Sequence, residues 1–413
     1  MAAPSDARPP PRPAASALPP FLLLYAALYS AYGTESAYLP SFFQSHGLAD
    51  RSIGMVLSAG TLVRIVSGPA AGRLADRLGA RRGVLAAAAL LSGLIGTLYL
   101  GAYGLVPLLL VCLAHSCTEA TLAPLSDALA VAASAARGGF RYGWVRGTGS
   151  AAFVAGTLLS GQLVDRFGLG CIIGASSALF LAMALSANRV AAPDAAGEPD
   201  RGGTLAAARA LLAMPAYRTL LLVAALVIGS HAVNDAFAVI TWRGAGYGGT
   251  AVSLLWSESV LAEVAVFFVA GPWIIDRVGP AGAAAISAGA GVLRWGVMGA
   301  TVALPALVAV QALHGLTFAL LHLGAMKVIG TAVPERLGAT AQAVYGNIAL
   351  GVASAALTFA SGYLYAGLGI RAFWVMAALC GLALVLAPGL GRGAGPRGAS
   401  RPAKPVDKPS SPL

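Results

Sequence analysis

The sequence predicts an all-α membrane protein of twelve transmembrane helices, in two six-helix halves that each hold inverted three-helix repeats. Three observations predict it: an apolar composition, basic residues gathered in alternate connections, and one short motif that returns four times. Of 413 residues, 58% are hydrophobic and 10% are charged, against about 25% charged in an ordinary soluble domain. A water-soluble core of this length cannot hide that much apolar surface.

Apolar runs recur between Phe21 and Pro388, each close to the roughly 20 residues that carry a helix across a bilayer. The expected spans cover residues 20–43, 52–72, 83–101, 105–130, 142–163, 170–187, 218–241, 252–275, 281–302, 304–328, 340–363 and 370–388. They divide the chain into a disordered cytoplasmic tail (1–19, rich in Pro and Ala), an N-terminal bundle (20–187), a cytoplasmic linker (188–217), a C-terminal bundle (218–388) and a second disordered cytoplasmic tail (389–413).

The net charge of +11 invites a nucleic-acid reading, and the placement of the charges decides against it. With both termini cytoplasmic, 20 of the 27 Lys and Arg residues fall on the cytoplasmic side, among them Arg73, Arg77, Arg81, Arg82, Arg137, Arg141 and Arg336. Arg51, Arg166, Arg243 and Arg371 fall outside, and Arg64, Arg146 and Arg294 fall within helices. This positive-inside bias orients an inner-membrane protein. Cys112, Cys117, Cys171 and Cys380 lie in apolar segments without CxxC spacing or clustered histidines, so they read as structural thiols; no metal and no cofactor is expected.

The motif runs from Gly72 through Asp76 and Arg77 to Gly79, with Arg81 and Arg82 beyond it, and returns from Gly161 through Asp165 and Arg166 to Gly168. A third copy runs from Gly271 through Asp276 and Arg277 to Gly279, and a decayed fourth from Gly362 to Gly369. Asp165 follows Asp76 by 89 residues and Asp276 follows Asp165 by 111; the surplus matches the polar stretch Arg189 to Tyr217. A repeated three-helix unit puts its copies on alternating membrane faces, because three is odd. That describes a carrier with its substrate site near the midplane, between the halves. Asp76 with Arg77, and Asp276 with Arg277, either latch the cytoplasmic face shut or serve as topology charges beside glycine turns.

Ionisable groups near a helix centre are costly and usually face a cavity. The spans carry Glu35, Arg64, His115, Glu119, Asp127, Arg146, His231, Asp235, Glu258, Glu263, Arg294, His314, His322 and Lys327. His115 and Glu119 are four residues apart and share a helix face, as do His231 and Asp235. Asp127 with Arg146, and Glu263 with Arg294, are the expected pairs; exchange of an Arg partner for a proton would couple transport to a proton gradient. Packing ion pairs are the alternative, and Lys327 is expected to snorkel to the interface. Tyr25, Tyr29, Tyr32 and Ser36 form one stripe, lining either a cavity or a helix contact. Trp242, near a helix end, reads as an interfacial anchor.

On these residues the chain resembles the major facilitator superfamily, and within it the 3-phenylpropionate permease-like branch, related to lactose and nucleoside proton symporters. The resemblance covers about Phe21 to Pro388. It is carried by PLSDAL from Pro124 to Leu129, YGWVRGTGSAAFVAG from Tyr142 to Gly156, the run from Leu293 to Lys327 and QAVY from Gln342 to Tyr345. It implies a major facilitator fold and proton-coupled uptake of a small organic solute by a monomer, with Asp127, Arg146, Glu263, Arg294, His314 and His322 in coupling and binding. Glu35, Glu119 and Asp235 look additional to that branch. An aromatic acid would use Arg146 or Arg294 and aromatic walls; a sugar or nucleoside would use carboxylates, Asn234, Gln342 and Asn347. An enzyme is not expected, since neither HExxH nor a nucleophile elbow occurs. The rivals are a proton-driven exporter, against which the stretch from Arg146 to Gly161 lacks proline, and a non-transporting sensor on the same fold.

Overall fold

A computed structural model describes residues 18–136, 139–190 and 205–391. The expected disorder of the tails concerns residues that lie almost wholly outside these. Every regular element among the described residues is helical. The first part comprises α1 (Leu18–Ser36), α2 (Leu39–Ser45), α3 (Asp50–Arg77), α4 (Arg81–Thr97), α5 (Leu105–Glu119), α6 (Leu122–Ala135), α7 (Tyr142–Phe167) and α8 (Gly170–Ala187). A short α9 (Leu205–Ala213) lies within the expected linker. There follow α10 (Pro215–Gly229), α11 (Ala232–Gly244), α12 (Gly249–Ala265), α13 (Gly271–Ala300), α14 (Leu304–Gln311), α15 (Leu321–Ala332), α16 (Gly338–Val344), α17 (Ala353–Leu368) and α18 (Ala372–Leu386).

Among the described residues, eight stretches are long and apolar enough to cross a membrane. Two of them, Gly249–Ala300 and Glu335–Leu390, hold 52 and 56 residues; a straight helix of that length would run about 80 Å, far past a hydrocarbon core of about 30 Å. The first is broken at Gly279 (φ 67°, ψ 179°) and the second at Gly369 (φ 56°). Large side chains such as Val66, Phe268 and Val385 are 70–76% exposed, an outer surface that suits lipid and not water.

Gly79, Gly168, Gly279 and Gly369, the last glycine of each motif copy, all have φ between 56° and 78°. Only glycine enters that region without strain, so each copy ends its helix in a turn that a side chain would oppose.

Four of the expected spans are interrupted. Ala37 and Tyr38 separate α1 from α2, Ala120 and Thr121 separate α5 from α6, and Ser230 and His231 separate α10 from α11. After α14 the helix breaks at Ala312 and Leu313, ahead of α15. Such breaks turn backbone and side chains toward a protein interior, where polar groups can be satisfied away from lipid.

The two parts of the chain touch through α3 with α17, α7 with α12 and α2 with α11. The contacts gather at one end. Ser58 Oγ donates to Ala355 O at 2.8 Å, and a Cβ on Gly54 would come within 2.8 Å of Thr358 O. Asp165 Oδ1 accepts from Gly249 N (2.5 Å), and Asp165 Oδ2 accepts from Thr250 N and Thr250 Oγ1 (2.8 Å each). Tyr38 OH donates to Gly249 O at 2.6 Å. Asp165 thus supplies acceptors to the first amides of α12, a helix N-terminus that favours negative charge. At the opposite end of α7, Trp144 and Arg146 are exposed, and the bonds described above that join the two parts lie away from it. The molecule is closed at the end of Asp50 and Asp165 and open at the end of Gly79 and Gly279.

Candidate functional site

The open space between the two parts is flanked by two clusters of charged residues and a tyrosine ladder. In the ladder, the spacing of Tyr25, Tyr29 and Tyr32 on α1 stacks their rings with centroids 5.7 Å and 6.0 Å apart, and Tyr32 continues onto Phe180 at 5.9 Å. The guanidinium of Arg146 lies over the Tyr29 ring, 4.9 Å from its centroid, a cation–π contact, and is within electrostatic range of Glu263.

The first cluster joins α1, α3 and α5. Arg64 on α3 bonds Glu119 on α5 through Nη2 and Oε2. Glu119 is 3% exposed, whereas the Arg64 side chain is 48% exposed, so Arg64 reaches from the opening to a buried carboxylate. His115 and Glu119 share a face as expected, with His115 Nδ1 at 3.8 Å from Glu119 Oε2. Glu35 from α1 completes the group, and its carboxylate, that of Glu119 and the His115 ring place one ligand atom each within 4.8 Å of one another. Arg64 already holds one Glu119 oxygen, and its positive charge opposes a divalent ion there; we assign no metal.

The second cluster joins α12, α13 and α14. Arg294 is fully buried on α13; its Nη2 donates to Gln311 Oε1 and its Nη1 to His314 Nδ1, both at 2.9 Å. Because a guanidinium only donates, His314 Nδ1 accepts and the ring proton sits on Nε2. That nitrogen faces Glu263 Oε2 at 3.4 Å. Arg294, His314 and Glu263 therefore form a line from the interior to a carboxylate whose side chain is 26% exposed. His231 extends it: its Nε2 meets Thr317 Oγ1 at 3.0 Å and its ring lies 5.3 Å from that of His314. His322 is within electrostatic range of Glu263, with its Nδ1 3.4 Å from Tyr345 OH.

Several expected pairings are replaced. Asp127 accepts from Tyr25 OH, and from Tyr142 OH at 3.0 Å, instead of pairing with Arg146, because α7 turns Arg146 onto Tyr29. Glu263 meets Arg294 through His314 and not directly. The side chains of His231 and Asp235 do not meet: the His231 ring bonds back to Val227 O and across to Thr317 Oγ1, and Asp235 Oδ1 accepts from Asn234 Nδ2 at 3.0 Å. Asp76 accepts from Arg81 Nε at 2.6 Å and not from Arg77. Asp276 lies 3.5 Å from Lys327 Nζ, so Lys327 has an acidic partner, while Arg277 lies over the Trp273 ring, 3.9 Å from its centroid. Trp242, expected as an interfacial anchor, is 1% exposed and packs within the core.

Sequence reasoning missed Gln311, Thr317 and the role of Asp165. Gln311 and Thr317 lie three residues either side of His314, a helical spacing that marks them once His314 is suspected. Asp165 was visible as a motif copy, but its partner α12 is 84 residues away.

The model of the MFS_1 like family matches residues 20–376. A probable 3-phenylpropionic acid transporter of Escherichia coli (strain K12) is 35% identical over 369 residues, covering 88% of this chain and 95% of the relative. A maltose permease of Geobacillus stearothermophilus is 28% identical, covering 89% and 92%. Among solved structures, a mutant form of the nucleoside transporter NupG superposes with a TM-score of 0.80 at 17% identity, covering 90% of this chain and 98% of that one.

Proposed function

The chain belongs to the MFS_1 like family, a membrane transporter and not an enzyme, and from that premise we propose that it takes up a small organic acid together with protons by alternating access. The observation that carries the coupling is the line Arg294, His314, Glu263, which joins a buried fixed charge to a carboxylate at the edge of the opening. A proton arriving at Glu263 neutralises the acid that His314 faces, and its release restores the negative charge 3.4 Å from His314 Nε2. The cation over Tyr29 gives the solute site both a positive charge and an aromatic wall, a chemistry that favours an aromatic carboxylate over a sugar or a nucleoside. The likeness to the probable 3-phenylpropionic acid transporter supports the same class.

The protein works in this reading as a monomer in the bacterial inner membrane, with both termini cytoplasmic and twelve crossings in two halves, 20–187 and 218–388. Support comes from the breaks at Gly279 and Gly369, which make two crossings of each overlong stretch, and from α1 with α2 and α7 as two further crossings. One interrupted helix in each three-helix unit supports the repeats. With that orientation the closed end is the outer one and the state is inward-open. Asp127 with its two tyrosines, His231, Asp235 and His322 line or support the route, and Asp76, Arg77, Arg81, Asp276 and Arg277, beside the turns at Gly79 and Gly279, act when the inner end closes.

Purified protein in liposomes with an internal pH dye, given 3-phenylpropionate, maltose or uridine, tests the proposal. Proton entry that depends on 3-phenylpropionate is expected, and Glu263→Gln should abolish concentrative uptake while keeping exchange. Solute-driven fluxes without proton entry would sink the coupling, and proton entry with maltose or uridine alone would sink the acid.

A further inference from the structure

Glu35 and Glu119 are 6% and 3% exposed, and buried carboxylates need compensating positive charge. Arg64 supplies one charge, to Glu119 Oε2. Glu119 Oε1 is buried and has no hydrogen-bond partner. An oxygen of Glu35 lies within 4.8 Å of the Glu119 carboxylate, so a hydrogen-bond acceptor faces another acceptor with no donor between them.

The neighbouring groups do not make up the missing charge. His115 is buried and shares Glu119 Oε2 with the Arg64 guanidinium; a second cation beside that guanidinium in so dry a site is disfavoured by desolvation and like-charge repulsion, so the ring is neutral. From α1 the phenol of Tyr32 donates to Glu119 O, the backbone oxygen, at 3.2 Å. Tyr99, which follows α4, and Cys112 on α5 are also within electrostatic range, and ordinary phenols and thiols are neutral at pH 7. From α8 the group meets Ser176, which has no charge. Two carboxylates and one guanidinium leave the site one positive charge short.

We propose that Glu35 and Glu119 share one proton and form a second proton site, in the N-terminal half, whose occupancy Arg64 controls. Two like charges held close in a dry site do not both ionise, and one proton held between them removes the conflict. Arg64 is the member that reaches the opening. A solute carboxylate that draws its guanidinium off Glu119 leaves the site two charges short, and a second proton enters. This last link rests on the proposed uptake of an acid; the shared proton does not.

Infrared difference spectroscopy of the purified full chain, titrated with protons in the absence of any solute, reads the site directly. At neutral pH the carbonyl stretch of a protonated, buried carboxylic acid should be present. It should vanish in Glu35→Gln and in Glu119→Gln, persist in Glu263→Gln, and double in area in Arg64→Gln. A stretch unchanged by both the Glu35 and Glu119 substitutions would overturn the proposal. So would its absence from the native protein, which would place the charge on His115. Loss of the stretch on replacing potassium chloride with sodium chloride would assign the site to a monovalent metal ion instead. The native spectra and their salt dependence remain decisive should a variant fail to fold, and an uncoupled carrier would leave all these results unaltered.

Discussion

Arg64 and Arg294 both serve sites inside the bundle, one in each half of the chain. Arg64 bonds a carboxylate with a second carboxylate behind it, while its own side chain is 48% exposed. Arg294 is fully buried and bonds Gln311 and His314, both uncharged as acceptors here. The first cluster carries an excess of acid, and the second sets one guanidinium against the single carboxylate of Glu263. A charge near the opening can be exchanged for a solute or a proton, whereas one sealed behind neutral acceptors can only bias what lies in front of it. Under the proposed mechanism the two halves, though similar in helix arrangement, divide the work: Arg64 responds to the solute, and Arg294 sets the field for Glu263.

The largest expected effect separates the two arginines. Arg64→Met strands two buried carboxylates and should lower stability by about 2 kcal/mol, below the roughly 3–5 of a fully buried broken pair because half of Arg64 is open to solvent. The loss should shrink as pH falls, since protonation of Glu119 replaces the missing cation. Arg294→Met leaves only neutral partners and should change stability by less than about 1 kcal/mol while ending proton-coupled uptake. Apparent melting temperatures in detergent across pH check both; equal losses for the two variants would break the comparison.

A smaller effect concerns the motif copies. Asp165 holds the first amides of α12, and Asp165→Ala should cost the closed end about 1 kcal/mol. Faster labelling of Ser253→Cys, 1% exposed on α12, by a membrane-impermeant thiol reagent would register the opening. The smallest effect is expected at Asp76, whose bond to Arg81 is largely solvent-exposed. Asp76→Asn should change stability by under about 0.5 kcal/mol, and a larger loss in the melting curve would mean that the inner copy already bears load in this state.

Much of this was legible in the residues. The glycines that end each motif copy were visible as a repeat, and they fold as the positive-φ turns that only glycine favours. His115 and Glu119 could be paired because four residues bring side chains onto one face of a single helix. The pairing failed wherever a helix broke or two helices met. His231 and Asp235 have the same spacing as His115 and Glu119, yet Thr317 on the neighbouring helical segment takes the His231 ring and Asn234 takes Asp235. Asp127 and Arg146 are both ionic, yet tyrosines 102 and 15 residues from Asp127 take its oxygens.

By itself the sequence determined that the chain is helical, lives in a membrane and belongs among transporters, since hydropathy, charge placement and local turns are set by neighbours along the chain. Only the tertiary structure decided that Arg64 meets Glu119 across 55 residues, that His314 stands between Arg294 and Glu263, and that Asp165 closes on α12. Those contacts depend on how helices rotate and pack against one another. That rotation is settled by the sum of many weak contacts in three dimensions, which no spacing along one helix records.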